Sequence, residues 1–359
     1  MDIISTWIYL DSAEESSEYP QVGKSSHLPE FQKVYWRCVA VFFAISTQTN
    51  PNRRHILFSN VAAEKLPTVD GLDLRSFLKA RNVEVITLPL TWQTPEGYFG
   101  KWRNQFYIFD ILAFLENKWS DDSKSSEHYA ENKLNSPGDA ESPGEFNIEP
   151  AIVVLDSDCI VNRSLDELFT EIREQGLLAL PMHFADDYNI NGVTRVDMRR
   201  IFAELDGGKD PGENPEYCGG EIFAATMKTV RTINQIAPSV WLNMIERQRT
   251  GMQKLNEEAH FLSYCYYRIG GWGSLEKYIK RIWTSPKYTN VQQTDFELPI
   301  WHLPAEKTGG IALIFKTLDK RHWTLKELGG ILGVLKRTRY LNLKHFFKHT
   351  SLYRWLKSK

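Results

Sequence analysis

Asp156 and Asp158 stand at i and i+2 directly behind an apolar run, residues 151–155 (AIVVL). On a bending turn both carboxylates face the same side. Paired hard oxygens suit Mg²⁺ or Mn²⁺, ions that complete their shell with water and substrate phosphate oxygens. Two turn-forming aspartates are the alternative reading of any isolated D-x-D. Here the apolar run ahead and the helical pattern behind favour the ligand role.

Two further groups extend that chemistry. His302 offers an imidazole that can complete a carboxylate-bound Mn²⁺ site, and Lys307, five residues on, can set a point charge against a diphosphate. A histidine packed under Trp301 with a solvated lysine is the alternative. Lys101 and Arg103 open a helical pattern, where a guanidinium can bridge a phosphate or ribose; a surface basic turn explains them equally well.

The elements that must position these groups can be read from apolar patterning. Residues 34–45 (VYWRCVAVFFAI), 55–59 (HILFS), 83–88 (VEVITL) and 151–155 predict buried strands separated by helix-compatible sequence. Residues 101–115 predict a helix with Trp102, Phe106, Ile111 and Ala113 inward. A second helix is expected from Ser164, where Ser164 and Glu167 form a capping-box pattern ahead of Leu165, Leu168, Phe169 and Ile172. Residues 176–180 lead a strand toward His183, and 214–225 (NPEYCGGEIFAA) form a turn before an apolar segment. A helix over 256–269 takes Asn256 as N-cap, buries Phe261, Leu262, Cys265 and Tyr266, and ends at Gly270-Gly271. Residues 298–310 are expected as a loop carrying His302 and Lys307. The fold class is α/β, a mixed central sheet with helices on both faces, and the acidic pair sits at the carboxyl end of a strand, where such sheets bind ligands.

Flanking segments differ in composition. Residues 1–30 are expected as a polar N-terminal arm, with the ordered fold beginning near Phe31 and the catalytic domain spanning 31–319. Residues 120–147, rich in Ser, Asp, Glu, Asn, Pro and Gly, interrupt that domain as a polar insertion.

The formal charge of −2 over 359 residues excludes a nucleic-acid binder by overall charge, but it conceals segregation. Residues 320–359 hold eleven Lys or Arg and one acid, Glu327, so the tail is about +10 and the remainder about −12. Within the tail Arg337, Lys344 and Lys348 share one helical face, and Tyr340, Leu343 and Phe347 another. This basic, partly amphipathic helical tail fits an anionic membrane surface or docking on the acidic body. Four scattered cysteines without a C-x-x-C pair argue against a zinc ribbon or a disulfide framework. With no basic n-region and no apolar run of about 18 residues, a cytoplasmic protein is expected, peripheral on a membrane if the tail binds one.

The D-x-D behind its strand, the 217–221 turn (YCGGE), the 256–260 helix start (NEEAH) and the 302–307 segment together resemble the GT-A fold glycosyltransferases, the nucleotide-diphospho-sugar transferases. Their order along the chain is similar too, and the late His302 with the following Lys307 resembles the family 8-like branch. The resemblance implies a Rossmann-like GT-A fold over roughly residues 35–310. It assigns Asp156, Asp158 and His302 to Mn²⁺ or Mg²⁺ and Lys307 to the donor diphosphate. The implied activity moves a sugar from a nucleotide-diphosphate sugar to a glycan, lipid or protein hydroxyl. Two departures stand out: the H-x-x-x-x-K segment lacks the glycine common there, and the insertion at 120–147 is not a family feature.

Breaking a sugar–phosphate bond needs the leaving diphosphate neutralised, a task for the ion with Lys307 and Arg103. An inverting course also needs a base for the acceptor hydroxyl, and by analogy Glu257 or Glu258 supplies it; glutamates in a first helical turn also simply favour the macrodipole. Gly219 and Gly220 let backbone approach the donor sugar and Glu221 can bond its hydroxyls, or the three form an ordinary turn. A haloacid-dehalogenase-like phosphatase, with Asp156 as nucleophile and Asp158 as acid/base, is the rival enzyme reading. A catalytically silent sugar-nucleotide-binding protein is the non-enzymatic one.

Overall fold

The computed structural model of the chain describes residues 1–16, 18–19, 22–99, 104–118, 149–285, 288–318 and 323–332. Lys101 and Arg103, the insertion at 120–147 and the amphipathic part of the tail lie outside the described residues. The protein is mixed α/β, and it divides into two compact units.

The first unit comprises residues 1–5, 87–154 and 167–274. Its strands follow the order β12-β10-β11-β8-β1, with β1 Ile3–Ile8, β8 Ala151–Leu155, β10 Leu177–Ala179, β11 Ile222–Thr226 and β12 Gly273–Ser274. The sheet is mixed, since β10 pairs antiparallel with β11 and parallel with β12. Its helices are α3 (residues 107–118), most of α4 (Asp166–Gln175), α5 (Arg195–Leu205), α6 (Met227–Thr250) and α7 (Glu258–Ile269). Trp92, Phe106, Phe109, Trp241 and Phe261 make one aromatic cluster, with the Phe109 and Phe261 rings edge-on at 4.8 Å.

The second unit comprises residues 6–86, 155–166 and 275–359. Here β1 is followed in sheet order by β4 (Arg54–Ser59) and β7 (Val83–Thr87). A separate three-stranded sheet runs β13 (Ile279–Arg281), β14 (Ile300–His302), β9 (Cys159–Val161). Two hairpins, β2 Glu18–Tyr19 with β3 Lys24–Ser25 and β5 Thr68–Val69 with β6 Leu72–Asp73, lie on the way. The helices are α1 (Pro29–Thr49), α2 (Leu74–Lys79), α8 (Gly310–Phe315) and α9 (Leu325–Ile331).

Several expectations are corrected. Residues 34–45, read as a strand, lie inside the 21-residue α1. Every residue from Cys38 to Ser46 is buried, so the apolar face wraps the whole helix and the 3.6-residue period disappears. Length and the Pro29-Glu30 start were the better guides. The ordered fold also begins earlier than Phe31: β1 is buried through Ile3–Thr6, and Ser5 and Thr6 spend their hydroxyls on the Val153 and Leu155 carbonyls.

The 298–310 loop contains a strand, β14, and a 3₁₀ turn, Pro304–Glu306. The helix after the D-x-D starts at Asp166 only after β9 has intervened, and Ser164 Oγ accepts from the Asp166 N–H at 3.2 Å. Finally, the N-cap position of α7 is Glu257, which makes no side-chain cap hydrogen bond, rather than Asn256, whose amide donates to the Asn191 carbonyl and accepts from Lys254.

Candidate metal centre and glutamate cluster

The second unit gathers Asp156, Asp158, His302 and Lys307 into one cluster. Strand β8, buried throughout, delivers the chain to a turn closed by the Cys159 N–H donating to the Asp156 carbonyl at 3.0 Å. Antiparallel β9 and β14 then set Cys159 opposite His302 and Ile160 opposite Trp301. The Leu303 N–H donates to the Asp158 carbonyl at 3.1 Å, tying the histidine strand to the acidic turn. Trp301 helps hold this register: it is fully buried and its indole N–H donates to the Asp295 carbonyl at 2.8 Å. Asp295 is in turn paired with Lys280 at 2.9 Å.

His302 Nε2 lies 3.4 Å from Asp158 Oδ2 and 3.6 Å from Asp156 Oδ2. One ligand atom from each of the three side chains falls within 4.8 Å of the others, the one such group of His, Cys, Asp or Glu among the described residues. An ion about 2.1 Å from each donor spans donor separations up to about 4.2 Å, so small side-chain shifts suffice to close the site. Two carboxylates and an imidazole suit Mn²⁺ well and leave the remaining positions for water or phosphate. Asp158 is buried and Asp156 is about a third exposed, so the site opens on the Asp156 side.

Lys307 completes the cluster through a buried ion pair with Asp158 Oδ2. Burial alone would raise the Asp158 carboxyl, but the Lys307 ammonium and the His302 imidazole hold it well below the usual carboxylate range. Burial likewise pulls Lys307 down, and the Asp158 carboxylate overrides it and raises the ammonium pKa.

Helix α1 adds two groups that sequence reasoning did not reach. Tyr35 places its ring 5.7 Å from Lys307 Nζ, and its hydroxyl is pushed well above its ordinary value by burial and then by Asp158. Cys38, one turn on, is pushed up to about 12 by burial and then by the same carboxylate. Their i, i+3 spacing would have pointed to one helical face had the segment been read as a helix.

The first unit brings together Gly219, Gly220, Glu221, Glu257 and Glu258. A Cβ on Gly220 would stand 2.5 Å from Glu258 Oε1, and one on Gly219 would come within van der Waals overlap of Glu221 Oε2. The glycines therefore permit a turn pressed against two carboxylates. The two glutamates of α7 differ. Glu257 is buried, with Oε1 accepting from the Tyr217 hydroxyl at 2.7 Å and Oε2 from the Asn191 amide. Glu258 is half-buried beside Gly220. His260, fully buried, has Nδ1 3.6 Å from Glu257 Oε1 and is pushed down to about 3 by burial.

No family model and no curated protein matches the sequence. Among solved structures the chain is similar to the galactosyltransferase LgtC in complex with donor and acceptor sugar analogs (12% identity, 89% of this chain and 95% of that one, TM-score 0.41). It is also similar to mouse xyloside xylosyltransferase 1 (10% identity, 84% and 96%, TM-score 0.43). A third likeness is to the glycosyltransferase GlyE of Streptococcus pneumoniae TIGR4 (14% identity, 84% and 54%, TM-score 0.38).

Proposed function

We propose that the protein is a metal-dependent GT-A fold glycosyltransferase of the family 8-like kind, moving a sugar from a nucleotide-diphosphate sugar to an acceptor hydroxyl. The observation that carries this reading is the convergence of Asp156, Asp158, His302 and Lys307 on one largely buried centre. Two acids, an imidazole and an ammonium together suit a divalent ion and a diphosphate, and neither an uncharged ligand nor a cationic one explains the set.

When bound, Mn²⁺ or Mg²⁺ supplies Lewis-acid neutralisation of the leaving diphosphate. Asp156, Asp158 and His302 would hold it. Lys307 would place a fixed positive charge on the diphosphate as the bond between the sugar anomeric carbon and the phosphate oxygen breaks and its electron pair moves to that oxygen. The new bond joins the acceptor oxygen to the anomeric carbon, and in an inverting course the hydroxyl proton passes to a carboxylate.

Of the two glutamates, Glu258 is the base we favour, because its side chain is half-buried and so reachable by an acceptor, whereas Glu257 is buried. Gly219, Gly220 and Glu221 are proposed to receive the donor sugar, and Lys101 and Arg103 to assist at the phosphates. A cytoplasmic setting, with the 320–359 tail against an anionic membrane, is part of the same proposal. Among the described residues no helix is long and apolar enough to cross a membrane.

The test is nucleoside-diphosphate release from UDP-, GDP- and CDP-sugars with Mn²⁺ and with EDTA. Release that EDTA abolishes supports the reading. Phosphomonoesterase activity without such release would favour the phosphatase alternative, and binding without turnover the silent one.

A further inference from the structure

The oxygen best placed to join His302 in holding an ion is the one that Lys307 already holds. Asp158 Oδ2 lies 3.4 Å from His302 Nε2 and is also the partner of the Lys307 ammonium. All three side chains are buried, so water screens little of what passes between them. The lysine cannot drift far, because it follows a 3₁₀ turn, Pro304–Glu306, whose leading residue Leu303 is hydrogen-bonded to the Asp158 carbonyl. Its side chain alone can swing, and the Tyr35 ring 5.7 Å from Nζ offers the ammonium a second favourable surface.

Charge arithmetic sets the consequence. Asp156, Asp158 and Lys307 sum to −1. A divalent ion added alone makes the centre +1 and sets two cations against one buried carboxylate oxygen. A diphosphate restores the balance and gives the ammonium another anion to bind.

We propose that Lys307 competes with the divalent ion for Asp158, so that the ion and the diphosphate bind with strong positive coupling. The proposal rests on the functional reading above. The diphosphate draws the ammonium away and frees Asp158 Oδ2 for the ion; by linkage, the ion raises diphosphate affinity by the same factor. The arrangement disfavours loading by metal alone and ties assembly of the centre to arrival of the donor.

The experiment is an electron paramagnetic resonance titration of free Mn²⁺ against the full-length chain, with and without UDP, for wild type, Lys307→Gln, Lys307→Met and Lys307→Arg. Removing the charge should tighten binding of Mn²⁺ alone by at least about tenfold and shrink the enhancement that UDP gives. Arginine, holding the carboxylate through two N–H groups, should weaken Mn²⁺ binding by about threefold or more.

Unchanged or weaker Mn²⁺ affinity in a folded neutral variant would overturn the proposal. Should neither neutral variant fold, Mn²⁺ affinity in Lys307→Arg equal to or above wild type would overturn it as well. Wild type that takes up no Mn²⁺ with or without UDP would instead sink the functional reading itself.

Discussion

His302 Nε2 stands 3.4 Å from Asp158 Oδ2 although 144 positions separate the two residues, and a three-residue ladder brings them together. Because β14 pairs with β9 from His302↔Cys159 to Ile300↔Val161, a slip of one residue would turn the imidazole to the other face. Trp301, fully buried and bonded to the Asp295 carbonyl, guards that register. Replacing it by Ala is expected to cost about 3–5 kcal/mol in chemical denaturation and to weaken Mn²⁺ binding in whatever fraction stays folded. A loss below 1 kcal/mol with unchanged Mn²⁺ affinity would show that the register has another anchor.

Asp158 and Lys307 form a buried pair, so the two halves are not equivalent to remove. Asp158→Ala strands a buried ammonium and should destabilise by about 3–5 kcal/mol, whereas Asp158→Asn keeps a hydrogen-bond acceptor and should cost less. Both variants should lose metal-dependent turnover by at least about a hundredfold, which corresponds to about 2.7 kcal/mol. Steady-state assays at saturating Mn²⁺ check the second statement and urea titration the first.

The α7 glutamates should separate in their effects. Glu257→Ala leaves the Tyr217 hydroxyl and the Asn191 amide without their carboxylate and is expected to cost about 1–3 kcal/mol in stability. Glu258→Ala, at a half-buried position, should cost less stability than Glu257→Ala and should lower kcat. Gly220→Ala probes the same group indirectly: its new Cβ meets Glu258 Oε1 at 2.5 Å and the Ala259 Cβ at 3.3 Å, so the carboxylate must move aside and the start of α7 must give slightly. A Gly220→Ala or Glu258→Ala variant at parental kcat would remove Glu258 from the reaction.

Much of this site was legible in the sequence because its parts are local. Strand β8 matches the 151–155 run residue for residue, the D-x-D follows on a turn, and α7 ends at Gly270 in the left-handed conformation that glycine favours. What the sequence hid depends on tertiary context. Helix α1 is buried on all sides at its middle and carries β-branched and aromatic residues there, so neither period nor propensity marked it as a helix. Only as part of a helix do Tyr35 and Cys38, three residues apart, both come under the influence of Asp158. The buried hydrogen bonds of Glu257 were equally hidden, since their partners Tyr217 and Asn191 lie 40 and 66 residues away.

His260 gives a pH dependence whose sign is fixed. Burial pushes its folded-state pKa down to about 3, below the value of about 6.5 expected when unfolded. The folded state therefore favours the neutral ring, and this contribution is complete above pH 6.5 and is lost as pH falls toward 3. Between pH 6.5 and about 4.5, before most carboxylates titrate, stability should fall by up to about 1.4 kcal/mol per pH unit from this group. Denaturant titrations across that window should show the slope in wild type and a flatter one in His260→Gln. Equal slopes would mean that other groups carry the acid sensitivity.

The most direct measurement is nucleoside-diphosphate release from a panel of UDP-, GDP- and CDP-sugars by wild type and Asp158→Asn, each with Mn²⁺ and with excess EDTA. The expected result is release from at least one donor by wild type with Mn²⁺, and none with EDTA or in the variant. Release at the parental rate by Asp158→Asn, or undiminished by EDTA, would contradict a metal-dependent transfer built on Asp156, Asp158 and His302.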